Sequence, residues 1–139
     1  MSVDQDESLP ETFWAVARRL RHRTREALEA WDLSPSLARA LSVLSRHPDV
    51  RLSTLAEHLR IAARTATEVA DDLTELGLAV RQPDPGDRRA TLLTLTPKGE
   101  QTASAIRAAR QASGEEFFEK LSAADKADLA RVLAQLRED

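Results

Sequence analysis

The sequence contains no cysteine, and its single methionine stands at position 1. Disulfide bonds, thiolate metal sites and cysteine-based redox switches all need a thiol, so each of them is excluded. Sensing by methionine oxidation is also disfavoured, because no methionine follows the first residue. If the protein responds to a signal, we therefore expect that signal to be a noncovalently bound molecule.

Long apolar runs are also missing. No stretch approaches the ~20 consecutive apolar residues that a membrane-spanning helix needs. The first seven residues, Met1–Glu7, are acidic and polar, and they lack the apolar core of a secretory signal. The sequence thus predicts a cytoplasmic protein that does not contact a membrane.

An excess of positive charge is absent as well. The 139 residues hold 20 Lys and Arg against 23 Asp and Glu, which gives a net charge of −3. This charge is evenly spread, because residues 1–50, 51–100 and 101–139 each carry −1. The balance argues against a polybasic nucleic-acid binder, so any contact with nucleic acid must come from a few local cationic side chains.

The composition is that of a folded globular protein, with 42% hydrophobic and 31% charged residues. The length predicts a single domain, residues 1–139, with one hydrophobic core. The sequence has no glycine-rich phosphate loop, no G-x-S-x-G motif and no paired histidine and carboxylate motif, and its three histidines lack metal-ligand spacing. We therefore predict no enzymatic activity, no cofactor and no metal site.

The spacing of apolar residues predicts a mainly α-helical fold. The first helix is expected from Pro10 to Trp31, because apolar residues recur there at three- and four-residue steps. Ser34 and Pro35 are typical of an N-cap followed by a proline at the first helical position, so a second helix is expected to begin there and to end before Pro48.

A helix–turn–helix follows. The third helix is predicted to begin at Ser53 or Thr54, since Thr54 and Glu57 have the spacing of a capping box. After a turn at residues 60–62 comes a fourth helix, and Gly77 fits the left-handed residue that would end it. The residues expected to face the core are Leu55, Ala56 and Leu59 of the third helix and Ala66, Val69, Ala70, Leu73 and Leu76 of the fourth.

The period then changes from helical to strand-like. Residues 78–81 and 91–95 have the composition of strands, and residues 83–87 between them are rich in turn formers. The pattern predicts a hairpin with a protruding tip. Thr96 and Pro97 repeat the cap-and-proline pattern and are expected to begin a long helix.

A last helix is predicted at the end of the chain. Ser122 and Asp125 have the spacing of a capping box at its start. Gly114 is a candidate for a break or kink between this helix and the long one. The residues expected to face inward on the last helix are Leu129, Val132, Leu133 and Leu136.

A helix–turn–helix followed by a hairpin is the arrangement of a winged helix. The second helix of the pair fits the major groove of B-DNA, which admits an α-helix. The hairpin, or wing, at about residues 81–92, would reach the neighbouring minor groove or the backbone. An arginine at the wing tip suits a narrow minor groove, because narrowing concentrates the negative potential.

Three segments resemble the MarR family of transcriptional regulators: residues 55–59 (LAEHL), residues 73–78 (LTELGL) and residues 83–90 (PDPGDRRA). The wing pattern of that family, D-x-R-x-x-x-x-x-L-T, is matched by residues 87–96. The members of the pattern are Asp87, Arg89, Leu95 and Thr96, with Pro97 and Gly99 following. The order of helices agrees with the family from about Pro10 onward.

The resemblance implies a homodimer that binds double-stranded DNA. Residues 1–33 and 97–139 would supply the helices of the dimerisation domain, and residues 34–96 would form the winged helix-turn-helix. The two recognition helices would then enter successive major grooves of a pseudopalindromic operator, about 10 bp apart. The resemblance also implies a repressor that releases DNA when a small aromatic or anionic organic molecule binds.

Four candidate DNA-binding residues lie on the fourth helix. Arg64 would pair with guanine or with a phosphate, and Thr65 and Thr67 would offer hydroxyl and methyl groups to base edges. Glu68 would accept a hydrogen bond from a cytosine amino group, or restrain Arg64 four residues before it.

Three further candidates lie on the wing. The resemblance makes Arg89 the wing arginine. Asp87 is expected to orient Arg89 through a carboxylate–guanidinium contact, and Arg88 to supply a second phosphate or groove contact.

Alternatives stay open at both places. The polar face of the fourth helix could be solvated only, and Asp87 with Arg89 could form a local ion pair that stiffens the turn. Beyond its first turn this helix is acidic, because it carries Asp71, Asp72 and Glu75. That acidity motivates a rival hypothesis: a winged-helix module that binds a protein or a small molecule and has lost sequence-specific DNA recognition.

Overall fold

The computed structural model describes residues 7–137. The first six residues, on which the expected absence of a secretory signal mainly depends, lie outside this range. The helices are α1 (Leu9–Ala27), α2 (Pro35–Arg46), α3 (Leu52–Leu59), α4 (Ala63–Glu75), α5 (Pro97–Phe117) and α6 (Ala123–Arg137), and the strands are β1 (Val50–Arg51), β2 (Ala79–Asp84) and β3 (Asp87–Leu95). The mainly helical, winged-helix fold class is confirmed. Among the described helices, none is both long and apolar enough to cross a membrane.

Two compact units are present. Residues 29–108 form one of them, here called the winged-helix unit, and residues 7–28 together with 109–137 form the other, the helical unit. In the winged-helix unit the three strands form one antiparallel sheet in the order β1-β3-β2. The hairpin of β2 and β3 was expected, but the pairing of Val50 and Arg51 with the middle strand was not.

The core of the winged-helix unit is built from side chains of α2, α3, α4 and the sheet. Leu41, Leu55, Leu73 and Leu93 are its largest fully buried members. The residues predicted to face inward on α3 and α4 are buried, with the exception of Leu76, which is 44% exposed. Leu76 is exposed because α4 ends at Glu75 and the chain turns away there into Gly77.

The predicted caps are confirmed at three helix starts. The Ser34 hydroxyl accepts a hydrogen bond from the Leu37 amide at 3.2 Å, and the Ser122 hydroxyl accepts one from the Asp125 amide at 3.1 Å. At α5 the Thr96 hydroxyl accepts from the Gly99 amide at 3.0 Å. These bonds satisfy helix N–H groups that have no partner within the helix.

The capping box predicted for the third helix is wrong. This helix begins at Leu52, and its N-cap residue, Arg51, makes no side-chain capping bond. The reason is the strand before it: Val50 and Arg51 pair with Leu93 and Leu92, and the chain passes directly from that strand into the helix. Strand pairing therefore sets the start of α3.

Two glycines behave differently from one another. Gly77 has φ of 75°, which confirms the left-handed residue expected after α4. Gly114 does not mark a break, because α5 continues through it to Phe117. The connection to α6 lies four residues later than predicted, at residues 118–122, where the Ser122 cap begins the next helix.

The helical unit leaves much of its apolar surface open in the single chain. The first helix is shorter than predicted, because it ends at Ala27 and a separate 3-10 turn spans Glu29–Trp31. Neither α1 nor α6 contains a buried residue. The inward placement expected for Val132 and Leu136 is wrong within the chain, since these side chains are 44% and 75% exposed.

Candidate nucleic-acid interface

The first turns of α4 present the four candidate residues of that helix to solvent. One face of the helix is buried, and it consists of Ala66, Val69, Ala70 and Leu73. Arg64, Thr65, Thr67 and Glu68 lie on the remaining surface and are exposed. The helix is therefore amphipathic: its apolar face packs against its own domain, and its polar face is accessible to a partner.

Two local contacts order this polar surface. The Arg64 guanidinium lies 3.9 Å from the Glu68 carboxylate one turn later, and the Arg64 side chain is 93% exposed. Such an exposed pair contributes little to stability, so Arg64 is held loosely enough to change partner. The Thr67 hydroxyl donates to the Ala63 carbonyl at 3.1 Å, which leaves the Thr67 methyl group available for an apolar contact.

The acidic part of α4 is partly neutralised by the wing. Arg81 of β2 forms an ion pair with Asp71, and the same guanidinium approaches the Thr67 carbonyl at 3.5 Å. The sequence pattern did not single out Arg81. It stood only at the end of the strand-like segment 78–81, and its partner, Asp71, lies on another element.

The two strands of the hairpin are longer than predicted, since they extend to Asp84 and begin again at Asp87, and their pairing is irregular. Pairing between β2 and β3 is regular from Ala79 with Leu95 to Pro83 with Thr91, and the next pair is Asp84 with Asp87. One step on β2 therefore corresponds to four on β3. Residues 88–90 of β3 have no partner on β2. This irregularity of the β-bulge type, here called the bulge, has three unpaired residues instead of the usual one, and such irregularities bend a strand and redirect its side chains.

The bulge contains both candidate arginines of the wing. Arg88 and Arg89 are exposed there. The contact expected between the Asp87 carboxylate and the Arg89 guanidinium is wrong, because Asp87 accepts instead from the Arg89 backbone N–H at 3.0 Å. A short acidic side chain bonds readily to the amide two residues on. Asp87 therefore shapes the backbone and leaves the guanidinium free to meet a partner.

A second acidic residue of the wing forms a stronger contact that the sequence did not reveal. The Asp84 carboxylate accepts from Nε and Nη2 of Arg51 at 2.8 and 2.7 Å, and from the Gly86 amide at 2.9 Å. The Gly86 amide lowers the pKa of Asp84, as does the Arg51 guanidinium, while burial opposes both. Asp84 is therefore a carboxylate at neutral pH.

The seven candidate residues therefore fall into two groups within one compact unit. The helix group can offer hydrogen bonds and a cation to a groove about as wide as a helix. The wing group places two arginines on a narrow projection, which is suited to a minor groove or to phosphates. On α4, Arg64 and Glu68 balance in charge, and on the wing Arg88 and Arg89 balance Asp84 and Asp87, so neither group carries the net negative charge of the chain.

Known proteins resemble this chain in sequence and in structure, and they indicate its family. The profile of the MarR family matches residues 31–90. An uncharacterised HTH-type transcriptional regulator of Mycobacterium leprae is 31% identical over 123 residues, which cover 87% of this chain and 81% of that protein. A Thauera aromatica protein, named as a candidate transcriptional regulatory protein for the hcr operon, is 32% identical over 104 residues.

The coverage of the relatives differs. The match to the Thauera protein covers 75% of this chain but only 63% of that protein's length. Among solved structures, a MarR family protein from Bacillus stearothermophilus is 25% identical, with a TM-score of 0.81 over 92% of this chain and 89% of that one.

Proposed function

The chain belongs to the MarR family of transcriptional regulators, and on this premise we propose that it represses transcription by binding a pseudopalindromic operator. The observation that carries the proposal is one compact unit that presents both a polar helix surface and an arginine-bearing bulge. A helix in the major groove with a wing beside it uses both features at once.

On the helix, Arg64 would contact guanine O6 and N7 or a phosphate, and Thr65 and Thr67 would contact base edges. Glu68 has two roles open to it: it would accept from a cytosine amino group, or keep Arg64 in place before binding. On the wing, Arg88 and Arg89 would supply the groove or phosphate contacts. Asp87 would act indirectly, because its carboxylate bonds to the backbone of the wing.

The regulator would act as a homodimer joined through the helical unit. The support is the exposed apolar surface of α1 and α6, which includes Phe13, Trp14, Val132 and Leu136. Large apolar side chains exposed close together on a helix mark interaction surfaces. A dimer would also place two recognition helices on the two halves of a palindromic site.

The proposed signal is a small aromatic or anionic organic molecule. The chain has no cysteine for a thiol-based switch. A thermal-shift screen of aromatic carboxylates and phenols tests the proposal directly, because stabilisation grows as RT ln(1 + [L]/Kd). Any compound that raises the melting temperature should also release DNA; a compound that stabilises the protein and leaves DNA binding unchanged would argue against a regulatory role.

Gel-shift titration of duplexes tiling the region upstream of the protein's own gene tests the main proposal. We expect one duplex to bind more tightly than a scrambled duplex of equal length and composition. If no duplex is preferred even at low salt, the rival hypothesis, a winged-helix module without sequence-specific DNA recognition, would replace it.

Removal of the wing arginine gives the first specific prediction. Arg89→Ala should weaken operator binding, because one cationic contact is lost, and it should reduce the slope of log K against log salt concentration by about one. Arg46→Ala is the matched control, since Arg46 is an exposed arginine that bonds only within its own helix. An unchanged slope for Arg89→Ala would remove Arg89 from the contacts.

A further inference from the structure

The bulge interrupts the strand pairing that would otherwise hold the wing in one direction. Over residues 88–90 the β3 backbone has no ladder partner on β2, so the regular cross-strand pairing that normally fixes a hairpin is interrupted where the two candidate arginines lie. Unpaired strand segments bend and change direction easily. Within this segment the Asp87 carboxylate bonds to the Arg89 N–H, but that bond is local, so the direction of the segment relative to the rest of the unit depends on other contacts.

Asp84 lies directly across from the bulge. It is the β2 residue at which the register jumps, and its partner, Asp87, is the last residue before the unpaired segment. One carboxylate oxygen accepts from the Gly86 amide in the turn, and the other accepts both Arg51 hydrogen bonds. Both oxygens of Asp84 are thus committed to holding the turn.

Arg51 connects this contact to the body of the unit. It belongs to β1, which pairs with β3, and it is also the N-cap residue of α3. The Asp84 side chain is only 13% exposed and that of Arg51 is 47% exposed, so the carboxylate end of the pair is sheltered while the guanidinium is partly open to solvent. Arg51 and Arg89 also line the same pocket of about 360 Å³, which places the base of this contact beside the bulge.

We propose that Arg51 is a positioning residue for DNA binding: through Asp84 it fixes the turn and the bulged segment, and so sets where Arg88 and Arg89 point. Arg51 itself does not contact DNA. This inference rests on the proposed function, because it assumes that the wing arginines meet the operator. It adds a residue that lies on neither α4 nor the wing hairpin.

The first test needs no DNA. Because the chain lacks cysteine, Arg88→Cys creates a single site for a nitroxide spin label in the bulge. We expect the label to be more mobile when Arg51→Ala or Asp84→Asn is added, and Arg51→Lys to restore part of the immobilisation. A label at Thr65→Cys on α4 should not change. An unchanged spectrum at position 88 would overturn the proposal.

The second test separates positioning from direct contact. Arg51→Ala should weaken binding of the preferred upstream duplex about fivefold, the upper end of what one partly exposed ion pair contributes. In an Arg88→Ala, Arg89→Ala background, the same substitution should have no further effect. A fivefold loss that persists in that background would mean that Arg51 contacts DNA itself, which would contradict the proposal.

The two proposals fail in different ways. If the wild-type protein prefers no duplex, the proposed operator binding fails, while the nitroxide comparison still decides whether Arg51 orders the wing. Arg46→Ala controls for the loss of one positive charge in the same unit and should leave duplex binding within twofold of wild type. Circular dichroism melting of each variant establishes that it is folded at the temperature of measurement.

Discussion

Replacing Gly99 by alanine is expected to lower the free energy of unfolding by about 1–3 kcal/mol, the usual range for overpacking a well-packed core. A Cβ atom at this position would lie 1.9 Å from the Leu78 carbonyl oxygen and 3.2 Å from the Leu95 Cδ2 atom. The first of these distances is far below van der Waals contact, and the obstructing atom belongs to the backbone. The first turn of α5 would have to move.

The backbone of Leu78 cannot move away from the added methyl group without breaking other contacts. Its carbonyl accepts a hydrogen bond from the Thr96 amide at 3.0 Å, and its side chain is buried. The Thr96 hydroxyl in turn donates to the Gly77 carbonyl at 2.7 Å. A shift of α5 away from Leu78 would therefore strain the contacts that join the start of this helix to the end of α4.

Gly114→Ala is the matched control, because it places the same methyl group on the same helix. A Cβ atom at Gly114 would meet nothing within 4 Å. Alanine favours a helix interior over glycine by about 1 kcal/mol, so this variant should be more stable than wild type. Chemical denaturation followed by circular dichroism measures both. Equal effects at the two glycines would show that helix propensity, and not the close approach at Leu78, governs position 99.

Most of the helical architecture was predictable because its determinants are local. The Ser34, Thr96 and Ser122 caps, each followed by Pro or an acidic residue, act within one turn of chain. The buried faces of α3 and α4 follow from residue spacing alone. The exception at Leu76 follows from the cap geometry, since the last residue before a left-handed glycine lies outside the helical face.

What the sequence did not predict depends on partners distant in the chain. Strand β1 is two residues long, too short to leave a period, and it exists because it pairs with Leu92 and Leu93. The bulge depends on which residues of β2 and β3 lie opposite one another, and the sequence of either strand alone does not determine this. Likewise, Arg51 and Asp84 are 33 residues apart, so their charges looked unremarkable in sequence.

At the candidate interface, the sequence correctly predicted which residues are exposed. It was less successful in predicting which atoms these residues contact. Arg64 and Glu68 interact at helical spacing, as one of the two alternatives required. The roles of the two wing aspartates, by contrast, depend on backbone geometry. Asp87 bonds to an amide, and Asp84 takes the guanidinium contact with a different arginine. The wing motif specifies the residue types, but it does not specify which hydrogen-bond donor each carboxylate contacts.

Placing a charge on the exposed apolar surface of α6 is expected to separate the proposed homodimer. Val132 and Leu136 lie one helical turn apart on this surface, and neither is covered within the chain. On the side of α6 next to them, Leu129 and Leu133 line an apolar pocket of about 390 Å³ together with Phe118 of the preceding connection. The pocket side of α6 thus faces residues of its own chain, and the outer side is available to a second copy.

Val132→Asp should raise the dimer dissociation constant at least about 100-fold, because a carboxylate buried without a partner costs about 3 kcal/mol or more. Ala127→Asp is the control: it adds the same charge to the same helix at an exposed position, about 180° around the helix from Leu136. Multi-angle light scattering over a dilution series measures the oligomeric state, and circular dichroism measures the helix content.

We expect Ala127→Asp to remain dimeric where Val132→Asp is monomeric or, if the monomer is not stable alone, loses helix content on dilution. Operator binding should fall with dimerisation, because one winged-helix unit can contact only one half-site. A Val132→Asp protein that keeps the wild-type dissociation constant would show that this surface is not the dimer interface. If it became monomeric yet bound the full operator as tightly as wild type, the requirement for two recognition helices would be wrong.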